Sequence, residues 1–293
     1  MKEQKSSYSA EIAAAMRAIE ANKTEDERVC FDMYAKYFLS TANKWIVRSR
    51  LMTYIALRIV ERKGPGFPGG IAARTRYIDD LLHSRIEDGI EQLVILGAGY
   101  DTRPYRFDAL KSIIVFEVDY PATQNYKISK IEKIFGFRPS HVVYVPVDFN
   151  KNVLSSCLSE AGFDRTLKTF FIWEGVTFYL TPTAVDDTLS FVTGNSGPGS
   201  SIYFDYMLQS VLDGRSHLPE AKNVRKGSFR GDGKEAYTFG IEDGTIEEFL
   251  SKRGFSQIVE MKSEQLKKKY FHGKNQKRKV HALFGYVHAM VDL

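Results

Sequence analysis

The chain has 293 residues, 43% hydrophobic and 26% charged, so it is long enough to bury a large core and has the composition of an ordinary globular protein. No stretch approaches about 18 consecutive apolar residues, which excludes a membrane-spanning helix and leads us to expect no membrane partner. The two cysteines, Cys30 and Cys157, lie far apart without a CxxC motif or a nearby histidine pair. They indicate buried thiols in a reducing compartment, and they exclude a disulfide framework or a metal site of that kind.

The net charge of +5 is modest and unevenly distributed. Much of it comes from residues 267–279, here called the basic stretch, which could bind nucleic acid or an anionic substrate. A solvated loop before the last strand explains the same pattern, and we favour it because two aromatic residues, Tyr270 and Phe271, do not make a stacking platform. Residues 1–23 carry charges throughout and lack the apolar core of a signal peptide, so we expect a cytoplasmic protein.

The first 90 residues are predicted to form a helical cap. Ile12, Met16 and Ile19 lie on one face of an amphipathic helix that Ser9 can cap. Glycines and prolines between residues 64 and 70 make a firm break before the last helix of this region. The helices are predicted at 9–20, 31–39, 45–62 and 71–89.

From Leu93 onward, strand-like apolar segments alternate with helical ones, which is typical of a doubly wound sheet in an α/β domain, here residues 91–293. The last two strands follow each other closely, which predicts seven strands with one antiparallel member. Residues 209–242 are polar and rich in glycine, and we expect this insertion to cover the site as a lid or substrate loop. Strands are predicted at 93–96, 112–118, 142–147, 168–173, 200–207, 256–262 and 280–288, and helices at 121–135, 151–160, 182–193 and 244–253.

A glycine turn follows the first strand of this domain. Gly97 and Gly99 let a ligand approach the backbone without a Cβ in the way, and Asp119 ends the next strand 20 residues after Gly99. An acid at that position can accept hydrogen bonds from both hydroxyls of a ribose. The third glycine of a pyrophosphate-binding turn is missing near position 102, so a nucleoside without a pyrophosphate is favoured over a dinucleotide.

Two further acids follow neighbouring strands. Asp148 can accept a hydrogen bond from the exocyclic amine of an adenine, and Phe149 beside it can flank the ring, while Glu174 follows the fourth strand. Each acid alone is explained as a helix cap or a solvated loop residue. Three acids at three successive strand ends are harder to explain in that way, because ligands of such sheets lie beyond the carboxyl ends of the strands.

Five motifs resemble those of the leucine carboxyl methyltransferase-like family. They occur in the family's order and spacing between about residues 8 and 260, and they read ARTRYIDDLL, LVILGAGYDTRPYRF, VFEVDYPATQNYK, VPVDFN and WEGVTFYLTPTAV. The resemblance implies a class I methyltransferase fold, a Rossmann-like, mostly parallel seven-stranded sheet under an N-terminal helical cap. It also implies an S-adenosylmethionine-dependent O-methyltransferase, acting on a small molecule or, less favoured, on a protein C-terminus.

The resemblance also assigns cofactor-binding residues. It implies that Arg74 pairs with the methionine carboxylate of the cofactor, with Arg76 as a competitor, and that Glu174 lies near the methionine amine. In the family's place for an Asp-Pro, the chain has Asp32-Met33, which leaves the contribution of the cap to the substrate pocket open. The remaining cofactor-binding residues that the resemblance implies are Gly97, Ala98, Gly99, Asp119, Tyr120, Asp148 and Phe149.

One candidate catalytic residue follows Glu174. Tyr179 could orient a substrate oxygen, although packing in the core explains it as well. A carboxylate acceptor needs no general base at neutral pH, whereas a hydroxyl acceptor usually benefits from one. None of the six histidines lies in a family motif, so we expect them to be structural.

Two other classes of function remain as alternatives. A nicotinamide-dependent oxidoreductase is disfavoured by the missing third glycine and by the absence of a Ser/Tyr-xxx-Lys catalytic set. A nucleic-acid-binding protein, with or without RNA methylation, depends on the basic stretch alone. The sequence therefore favours a methyltransferase with a small-molecule substrate, and it leaves the oligomeric state undetermined.

Overall fold

The computed structural model describes residues 7–149, 152–222 and 237–292. Seven strands form one sheet: β1 Gln92–Leu96, β2 Ile114–Asp119, β3 Val142–Pro146, β4 Thr169–Trp173, β5 Ser201–Met207, β6 Phe255–Met261 and β7 Phe284–Val291. Their order across the sheet is β3-β2-β1-β4-β5-β7-β6. Strand β7 runs antiparallel to both of its neighbours, and the pairs among β1 to β5 are parallel. The predicted seven-stranded sheet with one antiparallel strand is confirmed.

Helices surround the sheet and form most of the region before it. Prolines with the fixed φ of a first helical turn begin three of the longer helices, and the Ser7, Ser40, Ser49 and Thr181 side chains cap four of them. The helices are α1 Tyr8–Ala21, α2 Thr41–Arg48, α3 Arg50–Lys63, α4 Phe67–Glu87, α5 Arg103–Arg106, α6 Pro121–Phe135, α7 Leu154–Glu160, α8 Pro182–Gly194, α9 Gln209–Leu212, α10 Ile246–Ser251 and α11 Ser263–Tyr270.

Two predictions for the N-terminal region are wrong. Residues 31–39 contain only a four-residue 3-10 helix, Ala35–Phe38, and not a helix along the whole segment. The single helix predicted over 45–62 is two helices, because Ser49 adopts an extended conformation. Its hydroxyl accepts a hydrogen bond from Met52 N at 3.3 Å and so caps the second helix instead of continuing the first.

The C-terminal part differs from the sequence-based prediction in smaller ways. The last strand was predicted to begin at residue 280 and begins four residues later, at Phe284. The short helices α9 and α11 were not predicted. The predicted insertion, 209–242, begins with α9 and contacts the body of the protein, since Leu208 pairs with Ile241 in an isolated bridge. Residues 223–236 of this insertion lie outside the described residues.

The sheet has an apolar core on each face. One core joins β1 to β5 with α7, α8 and α10, and the other packs α4 and the segment around Leu110 against the opposite face. A third cluster packs α1 and the Ala35–Leu39 segment against Tyr100, just after β1, and Ile131 of α6. The N-terminal helices therefore lie at the edge where the parallel strands end.

No helix in the described part of the chain is both long and apolar enough to cross a bilayer. The same residues contain no group of three His, Cys, Asp or Glu side chains placed to hold a metal ion. Cys30 is buried as predicted, while Cys157 is half-buried, and both are free thiols.

Candidate functional site

The glycine turn directly after β1 lies at the carboxyl edge of the sheet. Gly97 and Gly99 have φ values of 66° and 45°, which L-residues with a side chain rarely adopt. A Cβ on Gly97 would lie 2.3 Å from Val176 Cγ2, and one on Gly99 would lie 3.3 Å from Ala10 Cβ in α1. Ala98 between them is buried and donates its N–H to the Val118 carbonyl at 2.9 Å. The turn therefore needs glycine for its conformation and, at Gly97, for the closely packed neighbour.

Asp119 meets this turn from the end of β2. One of its carboxylate oxygens accepts the Gly99 N–H, and the other accepts the Tyr120 N–H at 2.6 Å. Burial raises the pKa of Asp119 to about 6, although both N–H bonds favour its charged form. The spacing of 20 residues between Gly99 and Asp119 thus reflects a direct contact between the two strand ends.

Glu174, directly after β4, is held between two arginines. Arg74 Nε lies 2.8 Å from Oε1, and Arg103 Nη1 lies 2.8 Å from Oε2. Burial alone would raise the pKa of Glu174, but the two guanidinium groups outweigh it and lower the pKa to about 2. Glu174 is therefore ionised at all ordinary pH values, and we call it with Arg74 and Arg103 the arginine–glutamate cluster.

The structure distinguishes the two competing arginines of α4. Arg74 points to the sheet and also pairs with Asp205 Oδ2 at 2.6 Å, while the other Asp205 oxygen accepts the Gly175 N–H at 2.6 Å. Arg76 lies on the outer face of the helix, pairs with Asp80 at 2.8 Å and is half exposed. Arg74 is therefore the arginine that lies at the strand ends.

Arg103 is a site residue that the sequence analysis missed. It begins α5, is 2% exposed, and pairs with Asp79 at 2.8 Å and with Asp101 as well as with Glu174. Its position in GAGYDTRPYRF, two residues after Asp101, is the only signal in the sequence, because arginine is a common surface residue and its burial depends on α4 and β4.

A second arginine ties the N-terminal helices to the glycine turn. Arg17 of α1 donates from Nη2 to the Tyr100 carbonyl at 2.5 Å and from Nε to Asp32 at 2.9 Å. Asp32 is buried and also accepts the N–H groups of Tyr34 and Ala35 at 3.1 and 3.0 Å. Asp32 thus fixes the segment between α1 and α2 even though methionine, and not the family's proline, follows it.

The remaining predicted adenine-side residues lie after β3 and β2. Val147, just after β3, donates its N–H to the carbonyl of Asp119, the last residue of β2, at 2.9 Å. Asp148 therefore lies just past the end of both strands. Asp148 is half-buried and donates its N–H to Asn152 Oδ1 at 2.8 Å, and Phe149 packs against the core. Tyr120, half-buried, precedes Pro121 at the start of α6.

Tyr179 lies in an aromatic cluster next to the arginine–glutamate cluster. It ends the 3-10 helix Thr177–Tyr179, and its ring stacks on Tyr237 at 5.4 Å and 25°. Phe178 beside it contacts Phe284 at a ring distance of 4.9 Å. The predicted alternative of core packing therefore describes part of what Tyr179 does.

A small, partly open cavity lies beside this aromatic cluster, with an enclosed volume of about 20 Å³. His281 in its wall is 4% exposed, and its Nδ1 has no hydrogen-bond partner among the described residues. Burial lowers the pKa of His281 to about 4, so the imidazole is neutral at pH 7. The expectation that the histidines are structural stays a prediction for His281; the pocket is lined by Gly64, Pro65, Phe67, Glu220, Tyr237, His281, Leu283 and Phe284.

Helix α4 connects the pocket to the arginine–glutamate cluster. The His281 ring packs so closely on Gly70 that a Cβ there would lie 2.4 Å from Nε2. Gly70 precedes Arg74 by one helical turn, so both lie on the same face of α4. The pocket therefore lies about one helical turn from Arg74 of the arginine–glutamate cluster.

A buried ion pair lies beneath the glycine turn, on the side of the turn that faces β2 and α6. Glu117 of β2 and Lys127 of α6 are both fully buried and lie 2.8 Å apart, and Lys127 Nζ also lies 3.5 Å from the Ala98 carbonyl. Burial raises the pKa of Glu117 to about 7 against the opposing effect of Lys127. This pair is a structural feature of the turn and not part of the open site.

Comparisons with known proteins agree on one family. The family model of leucine carboxyl methyltransferases matches residues 10–193. YktD of Bacillus subtilis, whose name places it among S-adenosyl-L-methionine-dependent methyltransferases, is 31% identical over 221 residues, 74% of this chain and 71% of YktD. A Mycobacterium avium protein whose name places it in the same class is 39% identical over 135 residues, 46% of this chain, and the match spans 43% of its length.

Solved structures share the fold at low sequence identity. A Thermobifida fusca protein described as a methyltransferase has a TM-score of 0.58 with 12% identity, covering 96% of this chain and 95% of that one. A DUF574 family protein of Streptomyces avermitilis has a TM-score of 0.61 with 13% identity, and 98% of each chain is covered. At these identities the likeness shows the fold alone.

The sheet order, the strand-end site and these relatives define the class of protein as an S-adenosylmethionine-dependent methyltransferase with the predicted class I fold. The chain belongs to the leucine carboxyl methyltransferase family. The resemblance found in the sequence is thereby confirmed, and the nicotinamide-dependent alternative is set aside.

The residues present fit S-adenosylmethionine as cofactor. Its methionine end carries an ammonium and a carboxylate, and the arginine–glutamate cluster offers a carboxylate flanked by guanidinium groups at one strand end. Its ribose carries two hydroxyls, and Asp119 ends β2 beside the glycine turn, with β1 between β2 and β4.

Proposed function

We propose that this enzyme transfers a methyl group from S-adenosylmethionine to an oxygen of a small molecule, either a hydroxyl or a carboxylate. The observation that carries the proposal is the position of the aromatic pocket, which shares a face of α4 with the arginine–glutamate cluster. A cofactor held at the strand ends and an acceptor held in this pocket are proposed to meet beside α4.

The proposed cofactor contacts use the strand ends in order. Asp119 accepts the ribose hydroxyls, Glu174 faces the ammonium, and Arg74 pairs with the carboxylate. The backbone of the glycine turn flanks the methionine portion. The adenine lies beyond β3, with its other proposed contacts at Tyr120, Asp148 and Phe149.

The acceptor is proposed to lie against His281 and Tyr179. A neutral imidazole has one donor and one acceptor nitrogen, so it can orient either a hydroxyl or a carboxylate. Glu220 in the pocket wall adds a negative charge that disfavours an ionised acceptor, which makes hydroxyl compounds the first choice for a screen. The aromatic walls favour a substrate with an apolar ring or short chain.

The mechanism requires little from the protein beyond placement. When bound, S-adenosylmethionine supplies an activated sulfonium methyl. The chain aligns the acceptor oxygen with it and excludes water, and alignment of this kind can supply up to about 7–11 kcal/mol of barrier reduction. For a hydroxyl acceptor, the neutral His281 imidazole is proposed to orient the oxygen, and the released proton passes to solvent, because a pKa lowered to about 4 makes this imidazole a weak base.

A screen with isotope-labelled methyl groups tests the proposal. Purified enzyme is incubated with labelled S-adenosylmethionine and a set of small phenols, aliphatic alcohols and apolar carboxylic acids, with small amines and activated carbon acids as comparison acceptors. We expect label in at least one product, stable to mild alkali for an ether and released as methanol for an ester. Label transferred only to nitrogen or carbon acceptors would contradict the proposal, whereas a His281→Ala variant that still binds S-adenosylhomocysteine but loses transfer supports it.

The basic stretch gives less support to a nucleic-acid substrate. Lys274 pairs with Asp26 at 2.8 Å, Arg278 pairs with Glu20 at 2.7 Å, and Lys269 lies 3.7 Å from Asp80. These pairs hold the stretch against the N-terminal helices and neutralise part of its charge. A small-molecule acceptor is therefore the function that we propose.

A further inference from the structure

Helices α2 and α3, residues Thr41–Lys63, form a helical hairpin with an unusual surface. No residue of α3 is buried, and α2 buries Val47 alone. Of the 14 large hydrophobic side chains that are exposed in the described part of the chain, six lie on this hairpin, and the largest fractions are 70% at Trp45 and 68% at Leu51. The six residues are Trp45, Leu51, Met52, Tyr54, Ile55 and Ile59.

The apolar residues alternate with a row of arginines. Leu51, Ile55 and Ile59 are four residues apart and form one stripe along α3. The next stripe consists of Arg50, Tyr54, Arg58 and Arg62, with the Arg58 guanidinium 5.9 Å from the Tyr54 ring. Residues 41–63 contain six basic side chains and one acid.

Most of this positive charge has no acidic partner among the residues that the structure describes. Lys44, Arg48, Arg50, Arg58 and Arg62 form no salt bridge with any residue that the structure describes. The single acid, Glu61, accepts the Gly66 N–H at 2.9 Å and so fixes the turn into α4. The hairpin thus presents an exposed apolar stripe beside unpaired basic groups.

We propose that the α2–α3 hairpin docks on an anionic lipid surface. Exposed Trp and Leu side chains beside Lys and Arg are the composition of helices that lie in a membrane interface, where long basic side chains reach the headgroups. A second copy of the chain fits this face poorly, because a two-fold contact would bring the same unpaired arginines together. Nucleic acid fits it poorly because the stripe is aliphatic, and aliphatic side chains do not stack on bases.

The hairpin leads to the pocket of the proposed function. Helix α3 ends at Lys63, and the next two residues, Gly64 and Pro65, line that pocket. A docked hairpin would therefore bring the pocket wall close to the lipid surface. The sequence-based expectation of no membrane partner came from the missing spanning segment, and a hairpin that lies on the surface needs none.

Vesicle flotation with the full chain tests the docking. Vesicles contain phosphatidylcholine alone or phosphatidylcholine mixed with phosphatidylglycerol, without any substrate. We expect binding to the mixed vesicles only, weakened by added salt. The Leu51→Glu/Ile55→Glu variant should lose binding at least tenfold, and Arg58→Gln should weaken it about fivefold. Phe137→Glu is the matched control, because Phe137 is 63% exposed on another part of the surface, and it should bind like the wild type.

Several results would overturn the docking. They are wild-type protein that stays unbound with the mixed vesicles, equal binding to neutral vesicles, or an equal loss in Phe137→Glu. A dimer in light scattering that dissociates in Leu51→Glu/Ile55→Glu would assign the face to self-association instead. Affinity for S-adenosylhomocysteine, measured in parallel, reports on the cofactor site, so a failure of docking is distinguishable from a failure of the proposed function.

Discussion

Asp119 is the residue whose replacement tests the proposed ribose contact most directly. It sits at the end of β2 and accepts only backbone N–H groups within the protein. We expect Asp119→Ala to weaken binding of S-adenosylhomocysteine by roughly 2–3 kcal/mol, the cost of lost charge-assisted hydrogen bonds, as measured by calorimetry. Asp119→Asn, which keeps an acceptor oxygen, should lose less.

The matched control is Asp108→Ala. Asp108 is an exposed aspartate that pairs with Lys111 on the surface. It should leave the affinity unchanged. Unaltered affinity in a folded Asp119→Ala variant would mean that the ribose lies elsewhere.

The raised pKa of Asp119 predicts a pH dependence of binding. Burial raises this pKa from 3.8 to about 6, so the charged carboxylate forms as the pH rises through that value. Affinity for S-adenosylhomocysteine should therefore increase between about pH 5 and 7, and Asp119→Asn should lack that increase. For stability the sign is opposite, because a raised native pKa stabilises the fold at low pH, and that contribution is lost as the pH rises to about 6. Titration calorimetry and urea unfolding at matched pH values measure the two effects.

Arg103 and Arg76 provide a comparison between a buried and an exposed arginine. Arg103→Ala leaves the charges of Asp79, Asp101 and Glu174 without one of their partners, and we expect a loss of roughly 3–5 kcal/mol in the free energy of unfolding. Arg76→Ala removes one surface pair and should cost less than about 1 kcal/mol. Similar losses in urea denaturation would show that the Arg103 network is not a stabilising one.

The glycine turn is the element on which the site depends most. Gly97→Ala places a methyl group 2.3 Å from Val176 Cγ2 and forces an alanine into a left-handed conformation. We expect a loss of about 2–5 kcal/mol in unfolding free energy, from about 1–2 kcal/mol of backbone strain and about 1–3 kcal/mol of overpacking.

A second substitution and a second glycine separate these two causes. Gly97→Ala combined with Val176→Ala should recover the overpacking part relative to Val176→Ala alone. Gly136→Ala has a similar φ of 79° with nothing within 4 Å of the new methyl group, so it should show the backbone strain alone. Equal losses in Gly97→Ala and Gly136→Ala would exclude the contact with Val176 as a cause.

The strands were predictable because their signal is local. β1 and β4 are consecutive runs of buried apolar residues, and both were predicted within one or two residues. The break at Ser49 was not predictable, because the side chains on both sides of it continue a helical pattern. A serine in such a pattern can lie inside a helix or cap a new one, and the sequence does not distinguish the two. The start of β7 was misplaced since Val280, Ala282 and Leu283 are apolar, but this segment packs on the first turn of α4 and the pocket before the strand begins.

The residues of the candidate site that lie at strand ends were predictable, and those placed by packing were not. Asp119 and Glu174 follow strands directly, so the topology of a parallel sheet brings them to one edge. Arg103 and His281 depend on packing between segments far apart in the chain, and a single sequence contains no sign of their burial. The same limit hid the exposed stripe on α3, whose residues have the periodicity of a helix that packs on a core.

At the scale of the whole molecule, helix α1 packs on the glycine turn at the carboxyl edge of the sheet, where the candidate site lies. Arg17 of α1 donates a hydrogen bond to the Tyr100 carbonyl, Ala10 leaves little room for a side chain at Gly99, and Arg278 pairs with Glu20 of α1. Contacts with the glycine turn and with Arg278 thus hold α1 in place, whereas α3 has no buried residue. We therefore expect cofactor binding to stabilise α1 and the sheet edge as one unit and to leave α3 unaffected.

Hydrogen exchange in the presence and absence of S-adenosylhomocysteine measures this coupling. Amides of α1 and of the turn at 97–100 should exchange at least tenfold more slowly with the ligand, because opening of α1 would expose a bound ligand and is therefore suppressed. Amides of α3 serve as the internal control and should be unchanged. Arg17→Ala should reduce the protection of α1 more than that of the turn, since it removes the hydrogen bond that links them. Protection confined to the turn in the wild-type protein would mean that α1 does not close over the cofactor.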